Sequence, residues 1–214
     1  MKSLYIVGAG GAAKEIFLLI KEINQLNPIY KFKGFIDVST QDFLKIGDAK
    51  YPIINEIEFL NRNNNEIAII FGLADINKLK KIVRLYKQND NFEFPNLIHP
   101  SVQLDNSINM GIGNVITTQC VFTVDTCIGS FNYINRGTHI GHDCKIGSYN
   151  VINPCAVISG GVEIGDKNLI GTRATILQYL KIGSKNTIGA SALLTKNLEN
   201  NFCMIGVPAK QMVK

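Results

Sequence analysis

Isoleucine recurs at every sixth position through half the chain: Ile128, Ile134, Ile140, Ile146, Ile152, Ile158, Ile164, Ile170, Ile176, Ile182 and Ile188. Leu194 follows in phase, and Phe122, Ile116, Met110, Leu104 and Ile98 extend the register backwards. The sequence thus predicts seventeen uninterrupted hexads over residues 98–199. A period of six fits neither a heptad nor the two-residue alternation of a half-buried strand. It suits a triangular coil in which each hexad makes one short strand and one corner, with the isoleucine pointing at the axis. Four residues after it the side chain is small or short, as at Thr138, Cys144, Asn150, Ala156, Asn168, Ala174 and Ala192, and fills the remaining interior. The residue after the isoleucine is often glycine (Gly129, Gly141, Gly147, Gly165, Gly171, Gly183, Gly189), read here as the residue that permits the tight corner. Three hexads close an eighteen-residue coil, so seventeen predict nearly six coils.

The first ninety-odd residues alternate differently. Strands are predicted over 4–7, 32–36 and 67–71, and helices over 13–23 and 76–88, the second presenting Ile76, Leu79, Ile82, Val83 and Tyr86 on one face. This βαβαβ order predicts a small parallel α/β sheet, a half-Rossmann domain over 1–95, followed by the solenoid domain over 96–214. Gly8-x-Gly10-x-x-Ala13 matches the dinucleotide fingerprint, and Asp37 closes the second strand where a ribose-binding acid would stand. Glycines there let backbone N–H groups approach a phosphate at a helix N-terminus. The domain is half the length of a full dinucleotide fold, so one nucleotide is expected, bound as a sugar nucleotide.

Composition narrows the classes. The chain has 214 residues, no tryptophan and only 18% charged residues, which suits a solenoid better than a helical bundle. A net charge of +5 is compatible with anionic small molecules, and the absence of a lysine-arginine tract argues against nucleic acid as a partner. Five cysteines without C-x-x-C spacing read as reduced, mostly interior thiols of a cytosolic protein. The N-terminal apolar run breaks at Gly8-Ala9-Gly10-Gly11, a strand and turn rather than a signal peptide, and no stretch is long enough to span a membrane. A cytoplasmic protein without membrane insertion is expected.

Five segments carry a family resemblance that runs nearly end to end. They are Tyr5-Ile6-Val7-Gly8-Ala9-Gly10-Gly11, Gly34-Phe35-Ile36-Asp37, Asn96-Leu97-Ile98-His99-Pro100-Ser101, Gly141-His142-Asp143-Cys144-Lys145-Ile146-Gly147 and Ile205-Gly206-Val207-Pro208-Ala209-Lys210. The chain resembles the bacterial sugar O- and N-acetyltransferases of the hexapeptide-repeat acyltransferase superfamily. These include the sialic acid O-acetyltransferases and the N-acetyltransferases of nucleotide-linked 4-amino-4,6-dideoxy sugars. The resemblance implies a left-handed parallel β-helix, a homotrimer, acetyl-CoA as co-substrate and no metal. It implies His142 as general base, Asp143 as the acid that raises its basicity, and the Gly160 N–H as oxyanion donor. Spacing alone does not decide whether Asp143 or another acceptor meets the imidazole. Implied acetyl-CoA positions are Val151, which replaces a histidine of some relatives, Thr172 and Ala190. Implied substrate positions are Gly10, Gly11, Ala12, Asp37, Val38 and Gly72. Ala12 stands where some relatives carry histidine, and Lys14 is a candidate replacement. The repeat adds its own arithmetic: Gly160 lies one coil after His142, and Ala190 one coil after Thr172.

Only two other histidines are present. His99, before Pro100, reads as structural, and His139 as a corner residue. They are forty residues apart, not a multiple of eighteen, so they do not converge on a metal as in the γ-class carbonic anhydrases of the same fold. Two readings remain. One is an acetyltransferase acting on the 4-amino group of a nucleotide-linked sugar, with O-acetylation of sialic or a related acid as its near alternative. The other is a non-catalytic trimer that binds sugar nucleotides.

Overall fold

The structure is a computed structural model that describes residues 1–39, 41–62 and 66–212. The chain divides into two compact units, Met1–Pro95 and Asn96–Lys214. Among the described residues no helix is long and apolar enough to cross a membrane.

The first unit runs β1 (Lys2–Val7), α1 (Gly11–Leu26), β2 (Tyr30–Asp37), β3 (Phe43–Ile46), β4 (Ala49–Asn55), α2 (Glu56–Arg62), β5 (Ile67–Phe71), α3 (Ile76–Tyr86) and β6 (Phe92–Glu93). Its sheet has the order β3-β4-β2-β1-β5-β6, parallel except for the β3-β4 hairpin. All five residues of β5 are buried, the continuous apolar run expected of an interior parallel strand. Helix α1 lays Ala13, Ile16, Phe17 and Ile20 into the core. The sheet is larger than the expected βαβαβ unit: the hairpin, α2 and β6 are additional. The hairpin turns at Gly47-Asp48, with Gly47 at φ 59°, a two-residue signal that the helix-and-strand alternation had masked.

The second unit is a parallel β-solenoid with three faces. The first face carries Leu97–Ile98, Val115–Ile116, Tyr133–Ile134, Val151–Ile152, Leu169–Ile170 and Thr187–Ile188. The second carries Val121–Phe122, His139–Ile140, Val157–Ile158, Thr175–Ile176 and Leu193–Leu194, and the third carries Asn109–Met110, Cys127–Ile128, Lys145–Ile146, Glu163–Ile164 and Lys181–Ile182. Each strand pairs with the one eighteen residues later, so that Ile134, Ile152 and Ile170 stack in one column. Each buried isoleucine contributes about 1.5–3 kcal/mol of transfer free energy, which makes the periodic column the main adhesive of the unit.

The structure corrects the sequence reading in four places. The last expected hexad is two residues short: Ile182 pairs with Leu198 and Thr187 with Cys203, each sixteen residues on. The residue in phase would be Asn200, but its side chain accepts from Ser184 N on the outside, and the apolar Leu198 turns in. At the other end Leu104 packs against the core without belonging to a strand. The corner residue is also not the glycine that follows the isoleucine. Positive φ falls three residues after each inward side chain, at Phe131, Asp143, Tyr149, Cys155, Lys167, Arg173 and Tyr179 among others. The glycine after the isoleucine is required by stacking instead: a Cβ on Gly141 would lie 2.6 Å from Gly160 N, and one on Gly171 2.5 Å from Ala190 N. Finally, of the five cysteines only Cys120 and Cys144 are buried, Cys203 is half-buried, and Cys127 and Cys155 are exposed. Cys120 and Cys144 occupy the small inward position, whereas Cys127 points out from a strand and Cys155 sits on a corner.

Inside the corner between the third and first faces runs an asparagine ladder: Asn96, Asn114, Asn132, Asn150, Asn168 and Asn186. Each Oδ1 accepts the backbone N–H of the next asparagine, and up to Asn168 also its Nδ2. Asn150→Ala removes the acceptor of Asn168 N and Nδ2 and the Nδ2 donor to Asn132 Oδ1, while its backbone N–H still reaches that oxygen. The buried Asn168 N–H left without an acceptor costs about 1–3 kcal/mol, and a loss of that size is expected. It should be read as a lower urea midpoint with an unchanged slope.

Candidate active site

His142 and Asp143 stand at the corner between the second and third faces, directly after the strand His139–Ile140. Both side chains are about half exposed, and His142 Nδ1 lies 2.7 Å from Asp143 Oδ2. The neighbouring carboxylate therefore reaches the ring. A carboxylate only accepts, so Nδ1 carries the proton of this contact, and in the neutral ring the lone pair falls on Nε2. The ring lies across Gly160, one coil on: a Cβ there would be 2.6 Å from Cε1 and closer still to Nε2. Backbone pairing holds this stack, with Gly161 N donating to His142 O at 2.7 Å.

The same position in the next corner offers a contrast. Between the third and first faces, the N–H groups of Ile112, Ser130, Ser148, Asp166 and Ser184 are each capped by a side-chain oxygen from the coil that follows. Gly160 has no side chain to cap His142 N, and its own N–H has no acceptor among the described residues. An uncommitted amide thus lies beside an uncommitted imidazole nitrogen. That is the arrangement a general base and an oxyanion donor require.

Cys144, two residues further, is inert. It is buried, its Sγ donates to Ser159 O at 3.2 Å, and burial pushes its thiol above the usual range. Cys120 is pushed up to about 11 for the same reason. Neither thiol supplies a nucleophile at neutral pH.

Gly160→Ala puts a methyl group into the space of the imidazole without requiring a positive φ. The ring must move by about an ångström, for which a loss of about 10²-fold in kcat is expected. An unchanged melting temperature would attribute that loss to the displaced ring rather than to the fold.

Thr172 and Ala190 share the corner between the first and second faces, both exposed, with Ser191 N donating to Thr172 O at 2.8 Å. Val151 lies apart from them, half-buried on a first-face strand between Tyr133 and Leu169. His139 is not a corner residue: it points outward from a second-face strand between Val121 and Val157. His99 makes a local contact of 2.8 Å to Ser101 Oγ. The repeat also brings Gln178 and Tyr179 to the corner of His142, residues the sequence reading passed over.

In the first unit, Gly8 is the glycine the turn cannot spare: it sits at φ 104°, and a Cβ would lie 2.8 Å from Gly72 O. Gly72 in turn presses on α1, where its Cβ would meet Ala13 Cα at 2.7 Å. Gly10 and Gly11, exposed at the start of α1, have open space around them. Asp37 accepts from Ala9 N at 3.0 Å and from Ser39 N at 2.9 Å, so its carboxylate ties the glycine turn to the end of β2. Val38 is exposed and Ala12 half-buried. Lys14 borders a surface cleft with Phe43 and Lys45 of β3.

Residues 3–86 match the PglD N-terminal domain, and residues 125–160 match the bacterial transferase hexapeptide of six repeats. No curated protein sequence matches the chain. Among solved structures, PerB from Caulobacter crescentus, in complex with CoA and GDP-perosamine, is 23% identical with a TM-score of 0.85, over 100% of this chain and 98% of that one. A histidine-to-alanine variant of GDP-perosamine N-acetyl transferase from the same organism, in the same complex, is 22% identical with a TM-score of 0.86 and the same coverage. The acetyltransferase domain of PglB from Neisseria gonorrhoeae is 25% identical with a TM-score of 0.88, over 99% of this chain and 100% of that one. Each unit thus carries its own family match, the PglD N-terminal domain in the first and the bacterial transferase hexapeptide in the second.

Proposed function

We propose that this protein is an acetyl-CoA-dependent acetyltransferase acting on the 4-amino group of a nucleotide-linked 4-amino-4,6-dideoxy sugar. One observation carries the reading: His142, oriented by Asp143, offers Nε2 beside the uncapped N–H of Gly160. Nε2 removes a proton from the amine as its nitrogen attacks the thioester carbonyl. A C–N bond forms, and the Gly160 N–H holds the oxygen on which negative charge develops. Collapse breaks the C–S bond, and the imidazolium returns its proton to the departing thiolate. Asp143 stabilises that imidazolium. Transfer is read as direct: Cys144, two residues from His142, is buried and its Sγ donates to Ser159 O, so it offers no covalent detour. The likeness to enzymes crystallised with CoA and GDP-perosamine supports the same substrate pair.

Thr172 and Ala190, with Val151 on the adjoining face, line the path for acetyl-CoA. Gly10, Gly11, Ala12, Asp37, Val38 and Gly72 receive the nucleotide, with backbone N–H groups at the start of α1 facing its phosphates. The protein acts as a homotrimer. In support, the outward rows of the first and second faces are largely apolar, with Tyr133, Val151, Leu169, Val121 and Val157. The third presents Lys145, Glu163 and Lys181, which pair at 3.6 and 3.5 Å and suit solvent.

The test is release of CoA thiol from acetyl-CoA across a panel of nucleotide-linked 4-amino sugars and sialic acids. Release that depends on a 4-amino sugar is expected. Release with sialic acids alone would transfer the reading to O-acetylation, and no acceptor-dependent release would overturn it.

A further inference from the structure

Tyr179 is the most exposed aromatic residue among the described large hydrophobics, at 69%, and it stands at the His142 corner. It occupies the position one coil beyond Gly161, as Gly160 stands one coil beyond His142. One edge of its ring reaches over Gly161: a Cβ there would be 2.5 Å from Cε1 and nearer still to Cδ1. Its backbone N–H donates to Gly160 O at 3.0 Å, which fixes it to the residue carrying the free amide. The paired glycines therefore open a notch with a ring on each side, imidazole over Gly160 and phenol over Gly161. Leu177, two residues before Tyr179, adds a second exposed apolar side chain. The Tyr179 hydroxyl has no hydrogen-bond partner among the described residues.

We infer that Tyr179 is the wall of the acyl-donor end of the site and sets the length of acyl chain that is transferred, an inference that rests on the acetyltransferase reading. The chemistry assigns the side it faces. When the thioester oxygen meets the Gly160 N–H and the attacking nitrogen meets His142 Nε2, two substituents remain on the carbonyl carbon: the methyl group and the sulfur with its first methylenes. Both are apolar, and the boundary of the notch opposite the imidazole is the phenol ring. A longer acyl chain meets that ring.

The experiment compares wild type with Tyr179→Asn and Tyr179→Phe, using acetyl-, propionyl- and butyryl-CoA. Asparagine is chosen because it tolerates the left-handed backbone at this corner, where φ is 60°. For Tyr179→Asn, the KM for acetyl-CoA should rise about tenfold, and the preference for acetyl over propionyl should fall about tenfold, the usual discrimination for one methylene. The acceptor KM and the melting temperature should stay unchanged, and Tyr179→Phe should behave as wild type. The inference is overturned by a Tyr179→Asn protein with wild-type donor KM and chain-length preference, by an effect on the acceptor KM alone, or by Tyr179→Phe behaving like Tyr179→Asn. A wild type that neither binds acetyl-CoA in calorimetry nor consumes it would instead overturn the acetyltransferase reading, and this inference with it.

Discussion

His142→Ala is expected to lower kcat by about two to four decades while leaving CoA affinity largely intact. The size is that of a general base removed from a step whose other parts remain in place, about 3–5 kcal/mol of barrier. The Gly160 amide, the corner of Thr172 and Ala190 and the glycine turn of the first unit are all untouched by the substitution. The exposed ring packs on a glycine rather than in the core, so the fold should melt at the same temperature. Asp143→Asn should give a smaller loss, since it leaves an acceptor for Nδ1 but removes the charge that stabilises the imidazolium. Steady-state rates with acetyl-CoA and a 4-amino sugar, paired with a CoA titration, separate the roles. A lost titration with a preserved kcat would make His142 a binding residue.

How much of this was legible in the sequence follows from how local each feature is. The isoleucine column could be read because one side chain in six must fill the axis of a coil, whatever the other five do. Stacking at eighteen residues can be read for the same reason, and counting alone sets Gly160 against His142. Other features depend on directions that spacing leaves undetermined. The contact between Asp143 and the imidazole arises only because both residues fall on the outer corner, which a count of sixes does not reveal. The role of the glycine after each isoleucine was misread because glycine serves equally for positive φ and for close approach, and only the coordinates distinguish the two. The exposed Cys127 and Cys155 were nevertheless within reach of the register, which puts neither at an inward position. The shortened last coil was hidden by Leu194, an in-phase apolar residue that continues the pattern just before it breaks. In the first unit the strands of the β3-β4 hairpin carry Lys45, Lys50 and Pro52, which weaken the apolar alternation that would mark them as strands.

Ile152→Asp is expected to abolish folding of the solenoid. Ile152 is fully buried, stacked between Ile134 and Ile170 in the middle of the first face. The buried polar residues of the described solenoid are threonines and asparagines, with no cation to pair with a new carboxylate. Burying it ionised or forcing it to protonate costs several kcal/mol, and the isoleucine's own burial is lost as well. Together these approach the whole stability of an ordinary domain, about 5–15 kcal/mol. The architecture makes the position worse than the sum. Each coil of a solenoid is stabilised by its two neighbours alone, so a broken middle coil exposes an apolar cross-section on both sides. Ile152→Val is the control: it removes one methylene from the same column, costs about 0.5–1.5 kcal/mol, and should leave a folded protein. Soluble yield, circular dichroism and a thermal melt read the outcome. A soluble Ile152→Asp protein with a wild-type melt would mean that residue 152 faces water, and the hexad register would have to shift around it.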